Sequence, residues 1–422
     1  MSLSQEQQNA VGLVLDHVAR GESVGLTGWA GTGKTFTTAE IRRELDAQGQ
    51  RVAVLAPTHR ACDVLWDELV RAGVYAEVET IHAGCGLIPC DQTGKALEVA
   101  EAKAATADVV IVDEASMVST ALLVAINKLP GTKIFVGDPY QLPPVGEDSP
   151  PAFQGLPCAQ LRTTVRYAAG SDLDELTDAL RQCIDKKILP NIEAIEERMR
   201  FFRGGIPMAA DLFHRASDRS AIVMGFRNEV VAATCAAIQG GHVHTFEPGE
   251  PIVFLEQWAP YALDRGRGRY IRRVHNGIEG WIESYNDEDN IARIQFKGGG
   301  VSDVPVIPPS GLIKWLALKK TVNAMYRSTR DQWERFKRAN PILTGFASAT
   351  EAKKQMSKFA CVRQSWAMTV HKAQGGSYDR AIVMWDDLLS QRRKPELFCR
   401  LLYVAATRTR NAEELFFVRG TK

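Results

Sequence analysis

"SVGLTGWAGTGKTFTTAE" (residues 23–40) joins a short apolar run to a glycine-rich turn and then to a helix-forming segment. Gly28 through Thr35 fits G-x-x-x-x-G-K-[ST] at every fixed position, after a strand expected over Val24 to Thr27 and before a helix expected over Lys34 to Leu45. Gly28, Gly31 and Gly33, with Thr32 between the last two, let successive backbone N–H groups face a phosphate, and the helix N-terminus adds partial positive charge. The Lys34 ammonium then reaches the β- and γ-phosphates, and the Thr35 hydroxyl ligates Mg²⁺. ATP and Mg²⁺ are the expected cofactors. The use made of the nucleotide does not follow, because one fold hosts many functions.

Outward from this stretch, β-like runs alternate with helical patterns: "SVGLTG", "RVAVLAP" (51–57), "DVVIVDEAS" (108–116) and "TKIFVGDP" (132–139). Such alternation implies a parallel sheet with helices on both faces and functional loops at the carboxyl ends of the strands. Those loops are Gly28–Thr35, Pro57–Ala61, Asp113–Ser116 and Gly137–Pro144. A Pro/Gly-rich link, "PPVGEDSPPAF" (143–153), precedes a second α/β pattern that begins with "AQLRTTVRY" and resumes near Phe359. Between them, short strands broken by turns predict a small β-barrel, followed by a charged helical arm. The expected fold class is α/β, with two RecA-like parallel-sheet cores and a barrel-plus-helices insertion in the second. Its divisions are a first core over 1–152, a second over 153–247 and 358–422, and an insertion over 248–357.

The 422 residues are 45% hydrophobic and 24% charged, the composition of a folded chain. No apolar run reaches membrane-spanning length, and "MSLSQEQQNA" lacks a signal-peptide apolar region, so a cytoplasmic protein without a membrane partner is expected. Eight scattered cysteines include Cys85 and Cys90 near His82, but no second ligand pair follows at zinc spacing, which favours plain thiols. A net charge of +1 gives no global sign of a nucleic-acid partner. Local charge does exist in "LDRGRGRYIRRVHNG" (263–277), which reads equally well as a solvated loop.

In "VVIVDEAS" an apolar strand ends in two carboxylates downstream of the phosphate loop. Asp113 is placed to hold Mg²⁺ through water, and Glu114 to orient and deprotonate an attacking water. With "GDPYQLPPV" (137–145), "AMTVHKAQGGSYD" (367–379) and "LLYVAATRTR" (401–410), this segment resembles the ordered motif set of superfamily 1 DNA helicases of the 5′→3′ subgroup, which contains RecD. "LSQEQQNAV" (3–11), "LAPTHRA" (55–61), "TIHAGCGL" (80–87) and "HNG" (275–277) fall in the same order. The chain's length and compact insertion are most similar to the bacteriophage Dda type.

That resemblance implies roles residue by residue. Gln7 reads the adenine edge, Gln374 and Gly375 join the nucleotide site, and Gln141 stands between the γ-phosphate and the DNA-facing loop. Arg408 and Arg166 supply cations to the γ-phosphate; Arg162 is a rival that family spacing disfavours. Pro57, Thr58, His59, Thr80, His82, Pro144, Thr369, His371 and Lys372 contact the strand. A pin expected at about 85–106, turning at Asp91-Gln92-Thr93-Gly94, carries no bulky aromatic, so Ile88 and Pro89 would meet the fork. Trp258, Trp281, Trp315 and Trp333 are candidates for stacking on bases, with no sequence reason to prefer one. The implied activity is ATP-driven 5′→3′ movement on single-stranded DNA with unwinding of fork DNA, by a functional monomer that contacts a single-strand-binding protein, in phage-type replication or recombination. Its rivals are a translocase that strips proteins and unwinds poorly, and a DNA-clamp subunit of a replication complex.

Overall fold

The structure, a computed structural model, describes residues 3–89, 96–98, 102–164, 170–216, 221–240, 245–256, 258–265, 268–274, 278–296, 300–325, 330–340 and 343–420. Arg166, the turn at 91–94 and the segment 275–277 lie outside the described residues.

Strands β1 (Val24–Gly28), β2 (Val52–Ala56), β3 (Val78–Thr80), β6 (Val109–Val112), β7 (Thr132–Gly137) and β8 (Cys158–Leu161) form one sheet in the order β3-β2-β6-β7-β1-β8. Every neighbouring pair is parallel. All of β1 and β6 is buried, and apart from Thr27 both are apolar, as expected where helices cover both faces of a parallel sheet. Between β3 and β6 the chain makes an antiparallel hairpin of β4 (Leu87–Pro89) and β5 (Ala96–Glu98), with Ile88 opposite Leu97, where the pin is expected.

A second parallel sheet runs β18-β10-β19-β20-β9, from β9 (Phe201–Arg203), β10 (Ala221–Gly225), β18 (Ala367–Thr369), β19 (Arg380–Met384) and β20 (Leu415–Arg419). Beside it the helix Pro395–Ala406 is buried at every position from Phe398 onward, and it packs on the helix Asp172–Lys186. A helix apolar on all sides belongs inside a fold, so a polar group on it needs a specific partner.

Both parallel sheets lie in one compact unit, Met1–Thr234 with Ala367–Lys422; Cys235–Trp366 forms the other. Two details differ from the sequence reading. The run Cys158–Leu161, expected to open the second pattern, pairs in parallel with β1 and so extends the first sheet beyond residue 152. Val362–Gln364, expected in the second core, is a strand of the insertion, because it pairs with the strand Pro251–Phe254. A strand of three or four residues carries too little pattern to declare its sheet; only a long-range partner does.

In the Cys235–Trp366 unit, β11 (Pro251–Phe254), β14 (Glu279–Asn286), β15 (Ile291–Phe296), β16 (Val301–Pro305) and β17 (Val362–Gln364) form an antiparallel sheet, β16-β15-β14-β11-β17. A bridge between Val306 and Ala360 joins its two edges, as in a small barrel. Alternation along β15 sends Ala292, Ile294 and Phe296 inward, against Phe254 and Ile282. The arginine-rich stretch is no open loop: it lies largely in a hairpin of β12 (Trp258–Arg265) and β13 (Gly268–Val274). Trp333 is buried and donates to Phe346 O, and Trp315 packs edge-on against Phe359, so both serve the helical arm's own core. Among the described residues, no helix is long and apolar enough to cross a membrane, and no cluster of His, Cys, Asp or Glu suits a metal such as zinc.

Candidate functional site

Gly31 and Gly33, at φ 82° and 81°, both take the left-handed region that glycine enters without strain, and Gly33 directly precedes the helix Lys34–Ala47. The two fixed turns bend the phosphate loop as the motif requires. A Cβ at Gly33 would also come within 2.5 Å of Gln7 Nε2. Gln7 lies over the phosphate loop: its Nε2 donates to Thr32 O at 3.2 Å, while its Oε1 accepts from Ser4 N at 3.0 Å in the capping box of the first helix. Lys34 Nζ is folded back onto Gly28 O and Trp29 O, at 2.8 and 3.0 Å. The ammonium thus already sits on the loop that it would serve.

Asp113 and Glu114 follow β6, and Glu114 takes a left-handed backbone, φ 48°, which re-aims its side chain at the chain's turn. Burial, then the neighbouring Glu114, pushes the Asp113 carboxyl up to about 7. Burial raises Glu114 as well, while the charges of Lys34 and Arg408 draw it back down. Glu114 Oε2, Ser116 Oγ and Gln141 Oε1 are shielded from solvent without a hydrogen-bond partner. These oxygens, on the loops after β6 and β7, are free to accept a hydrogen bond from an incoming donor. The oxygen donors of Thr35 and Asp113 suit Mg²⁺, and a divalent ion would relieve the burial that raises Asp113.

That burial has a measurable consequence. An aspartate ordinarily titrates near 3.8, so between about pH 4 and pH 7 the folded chain holds a proton that the unfolded chain has released, and stability falls as pH rises. Asp113→Asn removes this effect. Without nucleotide or Mg²⁺, the variant should exceed the parent by on the order of 1–3 kcal/mol at pH 8 and match it near pH 4. Equal melting at pH 8 would show that the carboxylate is not strained.

Arg408 is buried; its Nε donates to Val404 O and its Nη1 to Gly376 O, both at 3.0 Å, and its Nη2 to Thr407 Oγ1. Backbone carbonyls thus aim it, and its charge reaches Glu114. Arg162, the rival cation, is exposed and bonded to Gln160 Oε1, while its backbone N–H donates to Glu6. Gln374 Nε2 donates to Leu142 O at 3.3 Å, tying the second core to the loop after β7.

Three residues joined to the site were missed in the sequence. Tyr403 OH donates to Asp138 Oδ2 at 2.8 Å and accepts from Ala30 N at 3.3 Å, so a hydroxyl of the second core links the phosphate loop to Asp138. Bonds of this kind contribute roughly 1.5–3 kcal/mol. Arg181 lies 3.7 Å over the Trp29 ring. Arg400 donates to Pro139 O and Gln141 O at 2.7 and 2.8 Å. The signal for Tyr403 is a phenol inside the apolar run "FCRLLYVAA".

Thr58, Thr80 and Thr369 each cap a helix, accepting from Ala61 N, Ala83 N and Lys372 N. A capping hydroxyl accepts through its lone pairs and keeps an O–H to donate. The second and third begin matching one-turn helices, Ile81–Gly84 and Val370–Ala373, written T-I-H and T-V-H. Burial lowers both His82 and His371, so their imidazoles are neutral hydrogen-bonding groups at pH 7. Thr58 and Lys372 are exposed, and Pro57, His59 and Pro144 are partly so.

Residues 2–198 match the AAA domain family, and residues 364–412 match the UvrD-like helicase C-terminal domain family. An ATP-dependent RecD2 DNA helicase of Deinococcus radiodurans is 33% identical over 183 residues, 42% of this chain and 24% of that protein. The DNA replication ATP-dependent helicase/nuclease DNA2 of Saccharomyces cerevisiae is 28% identical over 229 residues, 47% of this chain and 15% of that protein. The matched parts amount to 31% or less of the curated relatives' length. The structure of a Bacteroides Pif1 bound to single-stranded DNA has the same fold, with a TM-score of 0.56 at 16% identity over 99% of this chain and 92% of that one.

Proposed function

We propose that this chain, whose matches support an ATP-dependent DNA helicase of the superfamily 1, Pif1/RecD-like kind, moves 5′→3′ along single-stranded DNA and parts duplex DNA at a fork. The observation that carries the reading is that the second core's turn Gly375-Gly376 lies against Glu114 of the first, a Cβ on Gly375 falling 3.7 Å from Glu114 Oε1, while Gly376 O accepts from Arg408 Nη1 at 3.0 Å. A γ-phosphate beside Glu114 would lie between the two cores, so its binding favours their closure and its loss favours their opening.

Thr35 and Asp113 would hold Mg²⁺, which would supply positive charge to the phosphates; Gln7 would read the adenine, and Gln374 and Gly375 would flank the nucleotide from the second core. The backbone of Gly28, Gly31, Thr32 and Gly33 cradles the phosphates. Arg166 adds a second cation. The strand lies on Thr58, Thr80 and Thr369 with His59, His82, His371 and Lys372, phosphate contacts that position it without reading its sequence. Opening one base-pair step costs about 1.4 kcal/mol, and in this reading the β4–β5 pair is the wedge. The protein is a cytoplasmic, Dda-type monomer that works in phage-type replication or recombination beside a single-strand-binding protein.

A strand-displacement assay on duplexes with a 5′ or a 3′ tail tests this reading, with Lys34→Ala as control. The parent should displace only from the 5′-tailed substrate. Lys34→Ala should lose ATP hydrolysis and keep single-strand binding. Displacement from the 3′ tail alone overturns the polarity; ATP-driven protein stripping without displacement selects the translocase; and hydrolysis by Lys34→Ala near the parent rate removes the phosphate site.

A further inference from the structure

The turn Gln374-Gly375-Gly376 is where three groups from distant parts of the chain meet. A Cβ built on Gly375 would lie 3.7 Å from Glu114 Oε1, and one on Gly376 would come within 2.5 Å of Arg60 Nη2. Gly376 O accepts from Arg408 Nη1 at 3.0 Å. Arg60 stands in the first turn of the helix His59–Arg71, yet its guanidinium donates to Lys372 O at 3.2 Å and to Tyr378 OH at 2.7 Å in the second core. Tyr378 in turn donates its N–H to Arg408 O at 2.9 Å. Arg60 therefore reaches the backbone around Arg408 by two short routes, through Gly376 and through Tyr378. Its neighbours on the other side are Thr58 and His59, which face the strand in the reading above.

We propose that Arg60 is a positioning residue that conveys occupancy of the Thr58-His59 loop by DNA to the placement of Arg408. This rests on the helicase reading. The planar fork of arginine fixes two acceptors at once, so a shift of the loop displaces the Lys372–Tyr378 backbone with it; lysine, a point charge on a flexible stem, does not hold two acceptors in this way. Coupling of this kind needs a contiguous set of contacts with two arrangements.

The test compares ATP hydrolysis without DNA and at saturating single-stranded oligonucleotide for the parent, Arg60→Lys and Tyr378→Phe, with DNA affinity from fluorescence anisotropy and melting temperature as a folding check. Arg60→Lys should keep its DNA-free rate within twofold and its DNA affinity within about threefold, and lose at least tenfold in stimulation. Tyr378→Phe, which removes one acceptor, should lose stimulation in the same direction by a smaller factor. Full stimulation of Arg60→Lys at saturating DNA overturns the inference alone and reduces Arg60 to a strand contact. An equal fall in DNA-free and DNA-stimulated rates also overturns it, as a structural effect. A parent whose hydrolysis DNA does not raise overturns the helicase reading and this inference together.

Discussion

Arg408→Ala is expected to lower kcat for DNA-stimulated ATP hydrolysis by about 10³–10⁵, the range that a transition-state arginine supplies to phosphoryl transfer. In this structure the guanidinium is held by Val404 O and by Gly376 O, the latter in the turn that Arg60 also reaches. Charge spreads over the γ-phosphate oxygens only as the bond to the leaving group loosens, and a group that answers that charge acts on kcat more than on nucleotide affinity. ATP affinity should therefore change by only a few-fold. Arg408→Lys should rescue little, because a point charge on a flexible stem does not reproduce the two-pronged donor. An equal loss in affinity and kcat would assign Arg408 to ground-state binding. Mixing Arg408→Ala with Lys34→Ala separates one further possibility: rescue would mean that the site forms between two chains, whereas none is expected from a site whose two cations act on one Glu114 within one chain.

Glu114→Gln is the second large effect, about 10²–10⁴ in kcat, the usual contribution of a positioned general base. Glutamine keeps the shape of the side chain and removes its basicity. It also places an amide where Glu114 Oε2 now sits buried without a partner, so the variant should melt no lower than the parent. ATP and single-stranded DNA should remain bound while turnover stalls, and a long-lived ternary complex should be seen by anisotropy with ATP and Mg²⁺. Single-turnover hydrolysis within tenfold of the parent would remove Glu114 from the role of base.

The phosphate loop and the DEAS carboxylates could be read from sequence because their function is local: strand, turn and helix start are contiguous, and each fixed position answers a demand of the turn itself. The alternation of apolar runs similarly revealed two parallel sheets. Tyr403, Arg60 and Arg400 could not be read in this way. Their partners lie hundreds of residues away, at Asp138, Tyr378 and Pro139, and no periodicity records which loop a distant helix will face. The sheet membership of Cys158–Leu161 and Val362–Gln364 failed for the same reason. The repeated T-I-H and T-V-H is a local signal, since each copy caps a one-turn helix directly after a strand.

The matched pair Thr80 and Thr369 bears on the economy of movement in the proposed mechanism. Each holds a short helix in the same way, at the end of a strand of its own sheet, so each offers the backbone of a polymer the same kind of seat. In the proposed mechanism a phosphate passed between them exchanges one capped helix start and imidazole for another, the seats differing in Lys372, which stands where the first has Ala83. If the strand is held in these two seats as proposed, matched pawls on a periodic rack engage only at whole repeats, and displacement would be counted in complete nucleotides. Direction is then no property of the seats. It belongs to the order in which they are released.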